Sequence, residues 1–139
     1  MDNWDNYARY IFTSIGTLIT SILGGWDTVL QVLVAFVVID YFTGVLAAWY
    51  RKELSSEIGA KGIAKKILIF VMIAVASLID RTGVIEEPIF RTLACWFYIA
   101  NEGLSILENT AKIGVPIPES LKKALLAINT KASTETKPD

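Results

Sequence analysis

The chain has 139 residues, 53% of them hydrophobic and 19% charged, with a mean hydropathy of +0.48, which suits one domain but is too apolar for an ordinary soluble one. A formal net charge of −1 offers no basic excess to hold nucleic acid. With no histidine and a lone cysteine, Cys95, the usual general base, the commonest metal ligand and an intrachain disulfide are all missing, so neither an enzyme nor a metal or cofactor site is expected.

The opening residues MDNWDNYARY set Asp2 and Asp5 against Arg9, and no small-residue cleavage pattern follows, so a cleaved signal peptide is not expected. Residues 1–27 read as an N-terminal amphipathic segment. From Tyr10 to Leu23, Ile11, Phe12, Ile15, Leu18, Ile19, Ile22 and Leu23 recur at helical spacing, with Thr13, Ser14, Gly16, Thr17, Thr20 and Ser21 opposite. Such a helix is about 21 Å long, short of a hydrocarbon core of about 30 Å. It is expected to lie in the membrane interface or pack against the bundle, turned by Gly24 and Gly25; a fourth span is the alternative.

The membrane domain is expected over 28–128, with spans near 28–50, 62–80 and 89–108. The first is mostly apolar, with Asp40 as its only charge. A central Asp costs about 2.5–3.5 kcal/mol, which the surrounding Val, Leu, Ile and Phe offset at about 0.3–0.6 kcal/mol each. Asp40 is then an intramembrane carboxylate that must be paired, buried between helices or facing water. Trp26, Trp49 and Tyr50 bracket this span as interfacial anchors. The second span is extended at its start if Lys65 and Lys66 snorkel, and closes at Asp80 and Arg81. The third contains Arg91, Asn101 and Glu102, poor for a span alone and acceptable inside a bundle or around water.

Loop charges set the orientation. Arg51, Lys52, Lys61, Lys65 and Lys66 outnumber Glu53 and Glu57, so loop 51–66 is expected in the cytoplasm, its basic residues acting as topology or lipid-facing groups. DRTGVIEEP is acidic and fits the outside. The C-terminal part returns inside, where PESLKKALLAI forms a short amphipathic helix with Leu121, Leu125 and Ile128 on one side. Residues 129–139 read as a disordered polar tail.

Alternating steps of four and three from Arg91 meet Cys95, Tyr98, Glu102, Ser105 and Asn109 along one stripe. Asp40, Thr43, Gly44 and Ala47 share a side of the first span. Counted from the outer end, Asp40 and Glu102 both lie at roughly 20 Å depth. Two readings stay open at this point. The stripe and Asp40 face an aqueous lumen built by several copies, or Glu102 pairs with Lys65 or Lys66 and Asp40 hydrogen-bonds inside the bundle.

Taken together, DYFTG at Asp40–Gly44, the spacing G-x-K-G-x-x-K-K at Gly59–Lys66, Asp80 after the second span, NEGLSILEN at Asn101–Asn109 and GVPIPESL at Gly114–Leu121 resemble the toxin-secretion and phage-lysis holin family over about 29–128. The resemblance implies an all-α, multi-pass protein of the bacterial cytoplasmic membrane that forms homo-oligomers and opens lesions. Through these an endolysin is released for host cell lysis, or a toxin is exported, with an antiholin as a further partner. It carries no catalytic residues; Asp40, Asn101, Glu102, Glu108 and Asn109 match its polar motif positions. A small ion channel or transporter, or an antiholin-type regulator, would use the same acids differently.

Overall fold

The computed structural model describes residues 3–87 and 89–134. Five helices make it up: α1 (Asn3–Ile22), α2 (Thr28–Tyr50), α3 (Ser56–Asp80), α4 (Phe90–Lys112) and α5 (Glu119–Thr134), with no strand among the described residues.

A helix start leaves N–H groups without intrahelical partners, and local side chains supply acceptors here. Asp27 Oδ1 accepts from the Leu30 N–H at 2.9 Å to begin α2. Ser55 Oγ accepts from the Ile58 N–H at 3.2 Å to begin α3. At α4 the flanking Ile89 makes no side-chain cap. Asp80, the last residue of α3, takes that role from a distance, accepting from the N–H of Phe90 at 3.0 Å and of Arg91 at 2.8 Å. One carboxylate therefore closes the α3–α4 hairpin.

α4 is the central helix, packed against α2, α3 and α5, whereas α1 packs only against α3. Leu30 and Leu33 of α2, Ile73 of α3 and Cys95 of α4 are fully buried where the three helices meet. Leu23, Val37, Ile69 and Ile99 extend the cluster. The outer faces of α2 and α3 remain open, with Val38, Ile39, Phe42 and Leu46 exposed on one and Ile67, Leu68, Val71 and Met72 on the other. Acyl chains cover such faces at no cost, whereas water does not.

Among the described residues α2 and α3 are the two helices long and apolar enough to cross a membrane. The three spans read from the sequence thus reduce to two apolar helices and a half-polar α4, whose charges Arg91, Glu102, Glu108 and Lys112 keep it out of that class. α1 starts well before Tyr10 and buries none of its residues. Its apolar side, including Tyr7, Ile11, Phe12, Ile15 and Leu18, is exposed.

The C-terminal region differs from expectation in length and in register. α5 runs on through Thr134, so residues 129–134 of the expected polar tail are helical; residues 135–139 lie outside the described residues. The hydroxyls of this stretch fold back onto the preceding turn, Thr130 to Leu126 O, Ser133 to Asn129 O and Thr134 to Thr130 O, which satisfies them within the helix while the packing of Ala132 holds it to the bundle. α5 lies antiparallel along α4, because Leu125 meets Gly103 and Asn129 Nδ2 donates to Asn101 Oδ1 at 2.6 Å. Leu125 and Ala132 are its buried residues, and Leu121 is exposed. Gly103 makes the approach of α5 feasible, since a Cβ there would sit 3.0 Å from the Leu125 methyls and 3.1 Å from the Phe36 ring.

Candidate functional site

Three helices deliver charge to one buried point. Lys66 of α3 donates from Nζ to Asp40 Oδ2 of α2 and to Glu102 Oε2 of α4. The two carboxylate side chains are 9% exposed and the lysine 16%. Burying a charge is costly unless it is paired and hydrogen-bonded, and here the second Asp40 oxygen also has a donor. Asn109 Nδ2, about two turns beyond Glu102, donates to Asp40 Oδ1 at 3.1 Å and approaches Thr43 Oγ1 at 3.3 Å. Thr43 Oγ1 in turn donates to the Asp40 carbonyl at 3.1 Å. Two carboxylates share a single ammonium, so with all three groups ionised the cluster carries one net negative charge.

The cluster forms the floor of a crevice of about 460 Å³ between the α2 C-terminus, the α3 N-terminus and the α4 C-terminus. Ser105 lines it beside Glu102, and Arg51, Glu53, Lys65 and Lys112 lie nearer the mouth. Small residues make the space: Gly44, Ala47 and Ala48 on α2, and Gly59 and Gly62 on α3.

A second polar cluster lies at the other end of the bundle. Arg91 Nε donates to Leu23 O at 2.5 Å and one terminal nitrogen to Gly25 O at 3.1 Å. Its two terminal nitrogens also engage Asp27 in a fork, at 2.7 and 3.1 Å, the planar geometry that suits arginine to carboxylates. Arg81 donates to Ser21 O. The hydrogen bond from Arg91 holds the Asp27 carboxyl below its ordinary pKa, against a smaller opposing effect of burial. Gly24 has φ +84°, and a Cβ on it would lie 2.5 Å from Arg91 Cδ and Nε. Glycine is required there on both counts. This clamp ties the α1–α2 turn to the start of α4.

The stripe read from the sequence therefore has three environments. Arg91 belongs to the clamp. Cys95 is 0% exposed inside the apolar core, and Tyr98 packs against that core. Glu102, Ser105 and Asn109 belong to the charged cluster and its crevice. Asn101 points elsewhere, to Asn129 on α5. Of the basic residues, Arg51 pairs with Glu53 at 3.0 Å and Lys61 with Glu57 at 2.7 Å. Lys52 is exposed in the turn with φ 59°, and Lys65 sits at the crevice mouth.

The singular position of Lys66 is the feature the sequence reading left unresolved, since it treated Lys65 and Lys66 alike. Spacing carried the signal: Lys66, Ile69, Ile73 and Ser77 follow steps of three and four, so Lys66 shares the buried side of α3 and Lys65 does not. Asp27 and Asp80 were not recognised as clamp and cap, because their roles depend on how the glycine turn and the hairpin fold.

Two apolar helices long enough to cross a bilayer, and a half-polar helix pinned to them by buried ions, make an all-helical protein suited to a membrane. The chain belongs to the bacteriophage holin family, a non-enzymatic family of membrane proteins, whose sequence model matches residues 17–130. A protein described as a probable holin, from Bacillus phage phi105, is 40% identical over 110 residues, covering 79% of this chain and 81% of that one. An uncharacterised 14.9 kDa protein from the nagH 3′ region of Clostridium perfringens is 50% identical over 131 residues, covering 94% of this chain and 99% of its own length. A Listeria monocytogenes protein is 41% identical over 127 residues, covering 91% and 90%. No solved structure matches the chain.

Proposed function

We propose that this chain acts as a holin, assembling with copies of itself in the bacterial cytoplasmic membrane and opening lesions through which an endolysin reaches the cell wall. The observation that carries this reading is the two-sidedness of the protomer. α2 and α3 expose apolar residues suited to lipid, whereas α5 covers one side of α4 and turns Lys122, Lys123, Thr130 and Lys131 outward. A helix pair with such an outer surface is not stable against acyl chains. Copies arranged with α2 and α3 toward lipid and α4–α5 toward one another enclose a surface that water can wet.

In this reading α4 is the third crossing, loop 51–66 and the α4–α5 turn are cytoplasmic, α5 folds back along α4, and α1 lies in the interface with its apolar side against lipid. Asp40, Lys66, Glu102 and Asn109 form a latch. Protomers pack laterally while the latch is closed, and a critical density or loss of membrane potential shifts the population toward an arrangement in which it is hydrated. The net negative charge of the cluster couples it to the potential, at most about 2.3 kcal/mol per elementary charge for each 100 mV crossed. Cys95, deep in the apolar core, stays dry throughout, which limits hydration to the Glu102–Asn109 half of the stripe.

The test is co-induction in bacteria with an endolysin that lacks a signal sequence. Abrupt clearing of the culture that requires both proteins supports the proposal. Loss of potential without lysis would identify an ion channel or transporter, and delayed lysis beside a second holin would identify an antiholin. Substituting a co-encoded toxin for the endolysin separates the two cargoes.

A further inference from the structure

Between α2 and α3, with no α4 residue in its lining, lies an apolar furrow of about 280 Å³ whose walls include Val38 and Phe42 on α2 and Ile63 and Ile67 on α3. The furrow adjoins the charged crevice, with Tyr41 and Lys66 lining both. Tyr41 lies against the bare glycine face of α3, its ring 3.5 Å from where a Cβ of Gly62 would stand and its hydroxyl 3.7 Å from that of Gly59. At the crevice mouth are three cations, Arg51, Lys65 and Lys112, and one carboxylate, Glu53. Arg51 is committed to Glu53, and Lys66 to Asp40 and Glu102. Neither Lys65 nor Lys112 is in an ion pair among the described residues.

We propose that the furrow and crevice mouth form one binding site for an anionic phospholipid, with an acyl chain between Phe42 and Ile67 and the headgroup phosphate near Lys65 and Lys112. An apolar channel ending at uncommitted cations matches a ligand that is an anion at one end and hydrocarbon at the other. Neither half alone selects it. A free anion gains nothing from the furrow, and a zwitterionic lipid brings its own cation to the mouth. The site holds α2 to α3 where their direct packing is sparse, and it is independent of whether the assembled protein opens lesions.

Thermal unfolding of the full chain in a neutral detergent at low salt, followed by circular dichroism, tests the inference. Phosphatidylglycerol is expected to raise Tm by several degrees, and phosphatidylcholine or inorganic phosphate at equal concentration to leave it unchanged. The double variant Lys65→Gln, Lys112→Gln is expected to keep its lipid-free Tm and lose the shift. Ile63→Trp, which fills the furrow and leaves the charges in place, is expected to lose it as well. Equal shifts with phosphatidylglycerol and phosphatidylcholine, a comparable shift with phosphate alone, or a shift that survives both variants would overturn the proposal.

Discussion

Lys66 and Glu102 come from different helices and meet out of water, and the same ammonium also satisfies Asp40. Removing one member of such a cluster leaves buried charge uncompensated, whereas removing all of its charges together does not. Lys66→Met should therefore destabilise the protomer by about 3–5 kcal/mol, measured by denaturant titration in detergent. Adding Asp40→Asn and Glu102→Gln to it should recover most of that loss. A triple variant as unstable as the single one would show that the ions are not the reason.

The crevice is open to water and the apolar core is not, which two thiols distinguish. In a Cys95→Ala background, Ser105→Cys should react with a membrane-impermeant maleimide applied from the cytoplasmic side of inverted vesicles. The native Cys95 should not, being 0% exposed. Labelling of Cys95 with Ser105→Cys silent would mean that the wet and dry halves of α4 are reversed.

Asp80 holds α4 to α3 by accepting two main-chain N–H groups. Asp80→Ala should cost about 0.5–2 kcal/mol, the usual range for a lost cap, with reduced helicity by circular dichroism. Asp80→Asn, which retains an acceptor, should lose less.

At the same end of the bundle, Gly24 and Gly25 both have positive φ, at +84° and +106°. A Cβ at Gly25 meets nothing within 4 Å, while one at Gly24 strikes Arg91 and Ser77. Each alanine substitution should cost on the order of 1 kcal/mol in backbone strain, and Gly24→Ala should be the more damaging because its Cβ also strikes Arg91 and Ser77; Tm measurements on the pair provide the comparison.

The Arg91–Asp27 fork introduces a pH dependence. Because the folded Asp27 carboxyl titrates below its ordinary range, its contribution is fully present above the unfolded value, near pH 4. It is lost as pH falls through the lower folded value. With the Asp27 side chain 48% exposed, solvent keeps the effect small. Asp27→Asn should flatten the acid limb of a Tm-versus-pH profile below about pH 4 and leave neutral pH little changed; an unaltered acid limb would exclude Asp27 as its source.

α2 was legible in the sequence to the residue, because between Asp27 and Arg51 a run of 23 mostly apolar residues has Asp40 as its only charge. α3 was read short at its start. Ser55 caps it at the beginning of a polar turn, where apolar periodicity gives no signal. α5 was misread for a related reason: Ser and Thr look like tail composition until their hydroxyls bond to carbonyls one turn back and Ala132 is covered by the rest of the bundle. In the charged cluster, equal depth along two helices placed Asp40 and Glu102 in one layer, and the spacing of Lys66 to Ile69, Ile73 and Ser77 puts it on the buried side of α3, but only the three-helix geometry shows that one ammonium serves both carboxylates. The Arg91–Asp27 clamp was beyond the sequence, since its partners are brought together by a turn of two left-handed glycines.

Lesion size is what separates a holin from every smaller conductor with the same buried acids. The purified chain, reconstituted at rising density into liposomes containing phosphatidylglycerol, should release both a small trapped dye and a co-trapped folded fluorescent protein above a threshold density. Release of the dye with full retention of the folded protein at every density would contradict lesion formation and assign the chain to ion conduction.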